Sequence, residues 1–339
     1  MHFGLALPHY DFSLPRVRPI TVGALVDWAS RAEQLGFDSA WISDHFFLSL
    51  ERYGGSDERF GSLEPMTALA ALAETTDRIR LGTLVLGAPF RHPALLAKAA
   101  TSVDLASTGR LDLGIGAGWY QDEFAAFGLH FGTLGERFSL LEEYLAVLGP
   151  LLAGGPVDHD GPRFPMSGAL NRPLPAQRPR PPIWVGGKGG TRLLRLIARS
   201  ADGWNAVWRW SPDAYAEKLR DLERICEEVG RDPASVRRSV GLYTIVGEND
   251  SDLRRRMQRL RDWGPGLEGV SHEELSAHHL VGTPDRILER IAAFGELGVE
   301  EIIITPAQLP FAIPDAEMVE LIAGRVVAPG RAIPAPSSG

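Results

Sequence analysis

Leu111-Asp112-Leu113-Gly114-Ile115-Gly116-Ala117-Gly118-Trp119 and, upstream of it, Arg80-Leu81-Gly82-Thr83-Leu84-Val85-Leu86 are short β-rich runs separated by a longer amphipathic segment. Strand, helix, strand in that order predicts parallel pairing across a helical crossover. The same rhythm runs from one end of the chain to the other. Strands are read at residues 3–7, 39–42, 80–86, 111–115, 183–185, 203–207, 240–246 and 301–305. Eight such strands with helices between them fit an α/β fold closed into a (β/α)8, TIM-like barrel.

Several helices have readable ends. Thr21 can cap a stripe of Val22, Leu25, Val26, Ala29 and Ala32 that stops at Gly36. Ser211-Pro212 opens a helix carrying Tyr215, Leu219, Leu222 and Val229 on one face. Thr283-Pro284 opens another, with Ile287, Ile291 and Phe294 before Gly298. Residues 11–20 and 46–63 follow the first and second strands, so both are loops on the catalytic face of a barrel. Residues 154–181 are Pro-rich yet apolar in patches, which reads as an ordered excursion before strand five. These insertions lie within one barrel domain spanning 1–327, and residues 328–339 (APGRAIPAPSSG) are expected to be a disordered tail.

Composition narrows the partners. A net charge of −8 argues against nucleic acid or an anionic membrane surface. No segment approaches the roughly 20 apolar residues of a membrane span, and the MHFGLALPHY start lacks a signal-peptide pattern. A lone Cys226 in a helical run cannot form an internal disulfide, so a reducing cytoplasm is expected.

Three constellations could carry chemistry. At the end of strand two, Asp44-His45 should face the barrel mouth, where histidine can donate or accept a proton and the carboxylate can orient it or bind a cofactor hydroxyl. The plainer alternative is a turn in which Asp44 caps the next segment. At the end of strand four, Gly114, Gly116 and Gly118 bare one edge for close approach of a flat ring or phosphate, unless they only serve tight packing. Glu123 and Asp122, a turn later, could cap a helix or reach the pocket. After strand five, Gly186-Gly187-Lys188-Gly189-Gly190-Thr191-Arg192 has the makings of an anion site, with backbone N–H groups and a helix N-terminus in an otherwise acidic chain. It is neither a Walker loop nor a dinucleotide fingerprint. His272, His278 and His279 lack zinc-ligand spacing, so no metal is expected, and no G-x-S-x-G elbow is present. Trp208 and Trp210 could line the pocket or simply pack.

In order and spacing, FGLALP, LGFDSAWISDHF, the run from Arg78 to Gly128, PPIWVGG and SADGWN resemble the luciferase-like monooxygenase superfamily, and its F420-dependent branch in particular. The resemblance implies a barrel oxidoreductase, a homodimer, with coenzyme F420 in its mouth and a small organic substrate. FMN, supplied by a separate reductase for monooxygenation, is the alternative. It implies a non-prolyl cis peptide at or near Leu84-Val85, cofactor phosphate at Gly186 to Arg192, Gly116 and Gly118 flanking the ring or its side chain, and Asp44 and His45 beside the reactive carbon. One departure stands out. Sugar-phosphate dehydrogenases of that branch carry glutamate directly after the strand-four glycines, where this chain has Trp119.

Overall fold

The computed structural model describes residues 1–334. Eight parallel strands close on themselves: β1 (His2–Ala6), β2 (Ser39–Ile42), β3 (Arg80–Thr83), β4 (Leu111–Gly116), β5 (Ile183–Gly186), β6 (Gly203–Val207), β7 (Arg237–Val246) and β8 (Glu301–Thr305). Each pairs with its neighbour in sequence, and the β8–β1 pairing shuts the barrel. The expected strand 80–86 is divided. It pairs as β3, turns through a cis Leu84–Val85 peptide, and resumes at Leu86–Gly87 beside β4.

Glycines in the strands make room for tryptophans. A Cβ on Gly82 would lie 2.2 Å from Trp41, one on Gly4 2.6 Å from the same indole, and one on Gly203 2.3 Å from Trp184. Both indoles are fully buried inside the barrel and meet edge to face, with centroids 6.3 Å apart. Their N–H groups require acceptors in that dry interior. Trp184 donates to Asp112 at 3.1 Å, and Trp41 donates to Ser39 at 2.6 Å. Ser39 in turn donates to Glu301. Burial lifts the Glu301 carboxyl to about 7.

The outer helices bury most of the stripes expected of them, with Leu25, Ala29 and Ala32 buried in the first while Val22 is exposed. Thr21 accepts from the Ala24 amide and Ser211 from the Ala214 amide, whereas the helix after Thr283 has no side-chain cap. Both long insertions contain hairpins, Phe47–Ser49 with Arg59–Gly61 and Val157–His159 with Met166–Ala169. Asp11 staples the first insertion to the loop after β1 by accepting from the Gly61 and Ile20 amides. The expected disorder from residue 328 is corrected by packing. Gly330 is buried against Phe3, Arg331 pairs with Asp38 at 2.8 Å, and the N-terminal ammonium donates to the Ile333 carbonyl at 2.8 Å. Residues 335–339 of that stretch lie outside the described residues. Among the described residues no helix is long and apolar enough to cross a membrane.

Candidate active site

The strand C-termini and the loops beyond them enclose a cavity of about 1120 Å³. His45 follows β2 and is only slightly exposed. Its Nδ1 lies 2.8 Å from Oε1 of Glu123, a buried carboxylate on the short helix after β4. The other oxygen of Glu123 accepts from the Phe46 amide at 2.9 Å. With a carboxylate opposite it, Nδ1 carries the ring proton, and Nε2 is left to exchange a proton with a ligand. From chain neighbourhood Asp44 could orient this ring, bind a cofactor hydroxyl or cap the next segment. In the structure it does not bond the imidazole: the Asp44 carboxylate is held bidentately by Arg91 at 2.6 and 3.0 Å and also accepts from the Gly87 amide at 2.9 Å. Asp44 borders the cavity, but its oxygens tie β2 to the segment after β3.

A second buried chain runs beside His45. Burial lowers the His9 imidazole to about 3, so it is neutral. His9 Nδ1 faces the Leu7 carbonyl at 3.0 Å and must donate to it, so Nε2 is an acceptor for the Ser43 hydroxyl at 2.9 Å. Ser43 has then spent its proton, and the Tyr10 hydroxyl donates to it at 2.6 Å. Tyr10 presents its remaining lone pairs as acceptors at the cavity wall. Neither His9, Tyr10 nor Ser43 stood out in the sequence. Only the junction of β1 and β2 brings them together.

Leu84 and Val85 form part of the wall. The glycines opposite do not expose bare backbone, because Val85 fills the space they leave. A Cβ at Gly116 would come within 2.8 Å of Val85, and one at Gly186 within 2.7 Å. Gly118 has φ +76, and a Cβ there would meet Phe124 at 2.9 Å. The strand-four glycines thus accommodate Val85 and Phe124 on the cavity border.

The glycine loop after β5 leads into the helix Thr191–Ser200, whose Gly190 N-cap supplies no side-chain acceptor. Nothing lies within 4 Å of a Cβ placed on Gly190, whereas Gly187 (φ +153) and Gly189 (φ +73) occupy conformations that favour glycine. Uncapped amides beside open space suit an anion. Arg192, assigned to the same anion by sequence, is turned away. It binds Glu142 at 2.9 and 3.0 Å, the Gly135 carbonyl and the Ser139 hydroxyl. Lys188 donates to the Trp208 carbonyl on the neighbouring loop. Trp208 lines the cavity, while Trp210 is buried against Trp204 and Tyr215. No group of three or more potential metal-ligating side chains occurs among the described residues.

Comparison with known proteins agrees with this architecture. Residues 1–301 match the model of the luciferase-like monooxygenase family. An F420-dependent glucose-6-phosphate dehydrogenase of Kribbella flavida is 32% identical over 244 residues, covering 71% of this chain and 69% of its own. The F420-dependent tetrahydromethanopterin reductase of Methanopyrus kandleri superposes with a TM-score of 0.75 at 20% identity, over 96% of this chain and 98% of its own. The EDTA monooxygenase of Chelativorans sp. BNC1 superposes with a TM-score of 0.79 at 18% identity, over 98% and 93%.

Proposed function

The chain belongs to the luciferase-like monooxygenase family, and from that premise we propose an oxidoreductase that binds coenzyme F420 and transfers a hydride between it and a small organic substrate. The observation that carries this reading is the His45–Glu123 pair at the barrel mouth, a proton-handling group beside a cavity large enough for a tricyclic ring and a substrate. The residues present fit the cofactor. The uncapped amides from Lys188 to Thr191 would take its phosphate, and Leu84, Val85, Gly116 and Gly118 would border its ring. When bound, the deazaflavin supplies or accepts the hydride. His45 Nε2 gives or takes the accompanying proton on the substrate oxygen or nitrogen. Glu123 keeps the ring proton on Nδ1, and the Asp44–Arg91 pair fixes the segment that carries Val85. Tyr10 accepts a hydrogen bond from a donor group on the bound molecules.

The same loop chemistry would accept FMN, which also carries a phosphate, and that version needs a separate reductase. Support for F420 comes from the named relatives, such as the Kribbella flavida dehydrogenase. A homodimer in the cytoplasm belongs to the same proposal. Titrating the purified apoprotein with F420 and FMN side by side tests the cofactor. F420 should bind at least about tenfold tighter, roughly 1.4 kcal/mol, and tighter binding of FMN would overturn the assignment.

A further inference from the structure

Trp119 stands just beyond β4 and lines the cavity, yet it is left 46% exposed. Its indole meets the His45 imidazole at 75°, with ring centroids 5.5 Å apart. The His45 side chain is only 12% exposed, so the indole offers far more open surface here than the imidazole does. Trp119 belongs to neither hydrophobic core of the barrel, whereas the adjacent Tyr120 packs on one of them. A large apolar side chain that the fold does not bury, placed beside a proton-handling group, is a surface for a ligand.

The insertion after β2 holds this surface in place. The Arg52 guanidinium lies 4.4 Å from the Trp119 ring centroid, a cation over an indole. Tyr120, with its ring 5.2 Å from that of Trp119, donates its hydroxyl to Ser49 at 3.0 Å. Phe47 meets Tyr120 edge to face at 5.9 Å. Arg52, Ser49 and Phe47 all come from the one insertion, so two loops fix the indole before any ligand arrives. A ligand that packs on it therefore pays little ordering entropy.

We propose that Trp119 determines specificity by packing against a flat, unsaturated group on the reacting carbon, so that the substrate is a benzylic-type alcohol or the matching aryl ketone. The proposal rests on the oxidoreductase reading and names its substrate class. A substrate oxygen hydrogen-bonded to His45 Nε2 sets its carbon one bond further out. A ring on that carbon can reach an indole centred 5.5 Å from the imidazole. In the oxidising direction the carbinol carbon gives its hydride to the deazaflavin and the hydroxyl proton passes to Nε2, which leaves the ketone and the reduced cofactor. Packing of one aromatic ring on another adds to simple burial by about two- to tenfold in affinity. A saturated ring of the same carbon count gains the burial and lacks that addition.

Acetophenone and cyclohexyl methyl ketone separate the two contributions, because burial of apolar area alone favours the saturated ring. Each is titrated by calorimetry against the full chain saturated with F420. Acetophenone should bind at least about threefold tighter. Trp119→Leu should bring the two affinities to a ratio of about one, and Trp119→Phe should keep the preference, with F420 affinity within about twofold of wild type in both. Equal binding, tighter binding of the saturated ketone, or no saturable binding of acetophenone to the wild type overturns the assignment. A preference that survives Trp119→Leu places the packing surface on another side chain and overturns it as well. If F420 itself fails to bind, its spectrum is unchanged on mixing and the oxidoreductase reading fails instead. The same titrations on the free protein then decide the packing surface, which stands if Trp119→Leu abolishes the preference and falls if it does not.

Discussion

Glu123→Gln exchanges one oxygen for an NH2 and probes the pair on which the chemistry depends. Glu123 is 1% exposed, and its two oxygens serve two donors, His45 Nδ1 at 2.8 Å and the Phe46 amide at 2.9 Å. Glutamine has one carbonyl oxygen and cannot serve both. If that oxygen faces Phe46, the new NH2 confronts Nδ1 and drives the ring proton to Nε2, the wrong tautomer for a base at the cavity. If it faces the ring, the Phe46 amide is orphaned and the bond to histidine becomes neutral. Hydrogen bonds to charged groups contribute about 1.5–3 kcal/mol and neutral ones about 0.5–1.5 kcal/mol. The loss of about 1–2 kcal/mol is a factor of about 5–30 in rate, and the tautomer defect deepens it toward about 100-fold. The assay is stopped-flow single turnover of the F420 complex with an alcohol or carbonyl compound that the wild type converts, alongside an F420 titration. The rate of the proton-coupled step should fall while cofactor affinity stays within about twofold. A folded variant whose rate stays within about twofold of wild type would falsify the role given to Glu123.

Three further outcomes are expected. Arg91→Met leaves the buried Asp44 carboxylate without its bidentate partner, so it should cost about 3–5 kcal/mol in urea unfolding. Burial raises Glu301 from 4.5 to about 7, so between those values the unfolded chain releases a proton that the folded chain keeps, and stability falls as pH rises. Glu301→Gln should remove that slope and gain about 3 kcal/mol at pH 8 with little change at pH 4, read as the urea midpoint at each pH. Arg192 is spent on Glu142 in a half-exposed pair, so Arg192→Ala should leave F420 affinity within about twofold and cost less than about 1 kcal/mol; a tenfold weaker affinity would return Arg192 to the phosphate site.

The barrel was legible in the sequence because period and punctuation agreed at each strand and helix. The role of several glycines was not. Gly4, Gly82 and Gly203 look like weak points in strands, and only closure of the barrel shows that Trp41 and Trp184 occupy their missing side chains. Gly116 and Gly186 border the cavity, but they accommodate Val85 instead of leaving backbone bare. Arg192 sits where an anion-binding arginine would, yet its reach lets it choose Glu142, fifty positions away in sequence. His279 shares its segment with acids and lacks zinc-ligand spacing, so the sequence assigns it no role. The loop between β7 and β8 folds it into the cavity, a long-range event no local pattern encodes.

Asp44 and Glu123 divide between them two tasks that a linear reading gives to one residue. Side chains of consecutive residues leaving a strand point to opposite sides, so Asp44 is poorly placed to orient the ring of its neighbour His45. A carboxylate arriving from β4 can meet that ring, and Glu123 does. Asp44 points instead toward Arg91 and Gly87. The two acids share no hydrogen-bond partner, which makes their independence measurable. In a double-mutant cycle on the single-turnover rate, Asp44→Asn and Glu123→Gln should combine additively within about 0.5 kcal/mol. The stability cycle of Asp44→Asn with Arg91→Met should show coupling above about 1 kcal/mol, because each removes the other's partner. Strong coupling between the two acids in the rate would mean that Asp44 reaches the imidazole after all, and the division of labour would have to be abandoned.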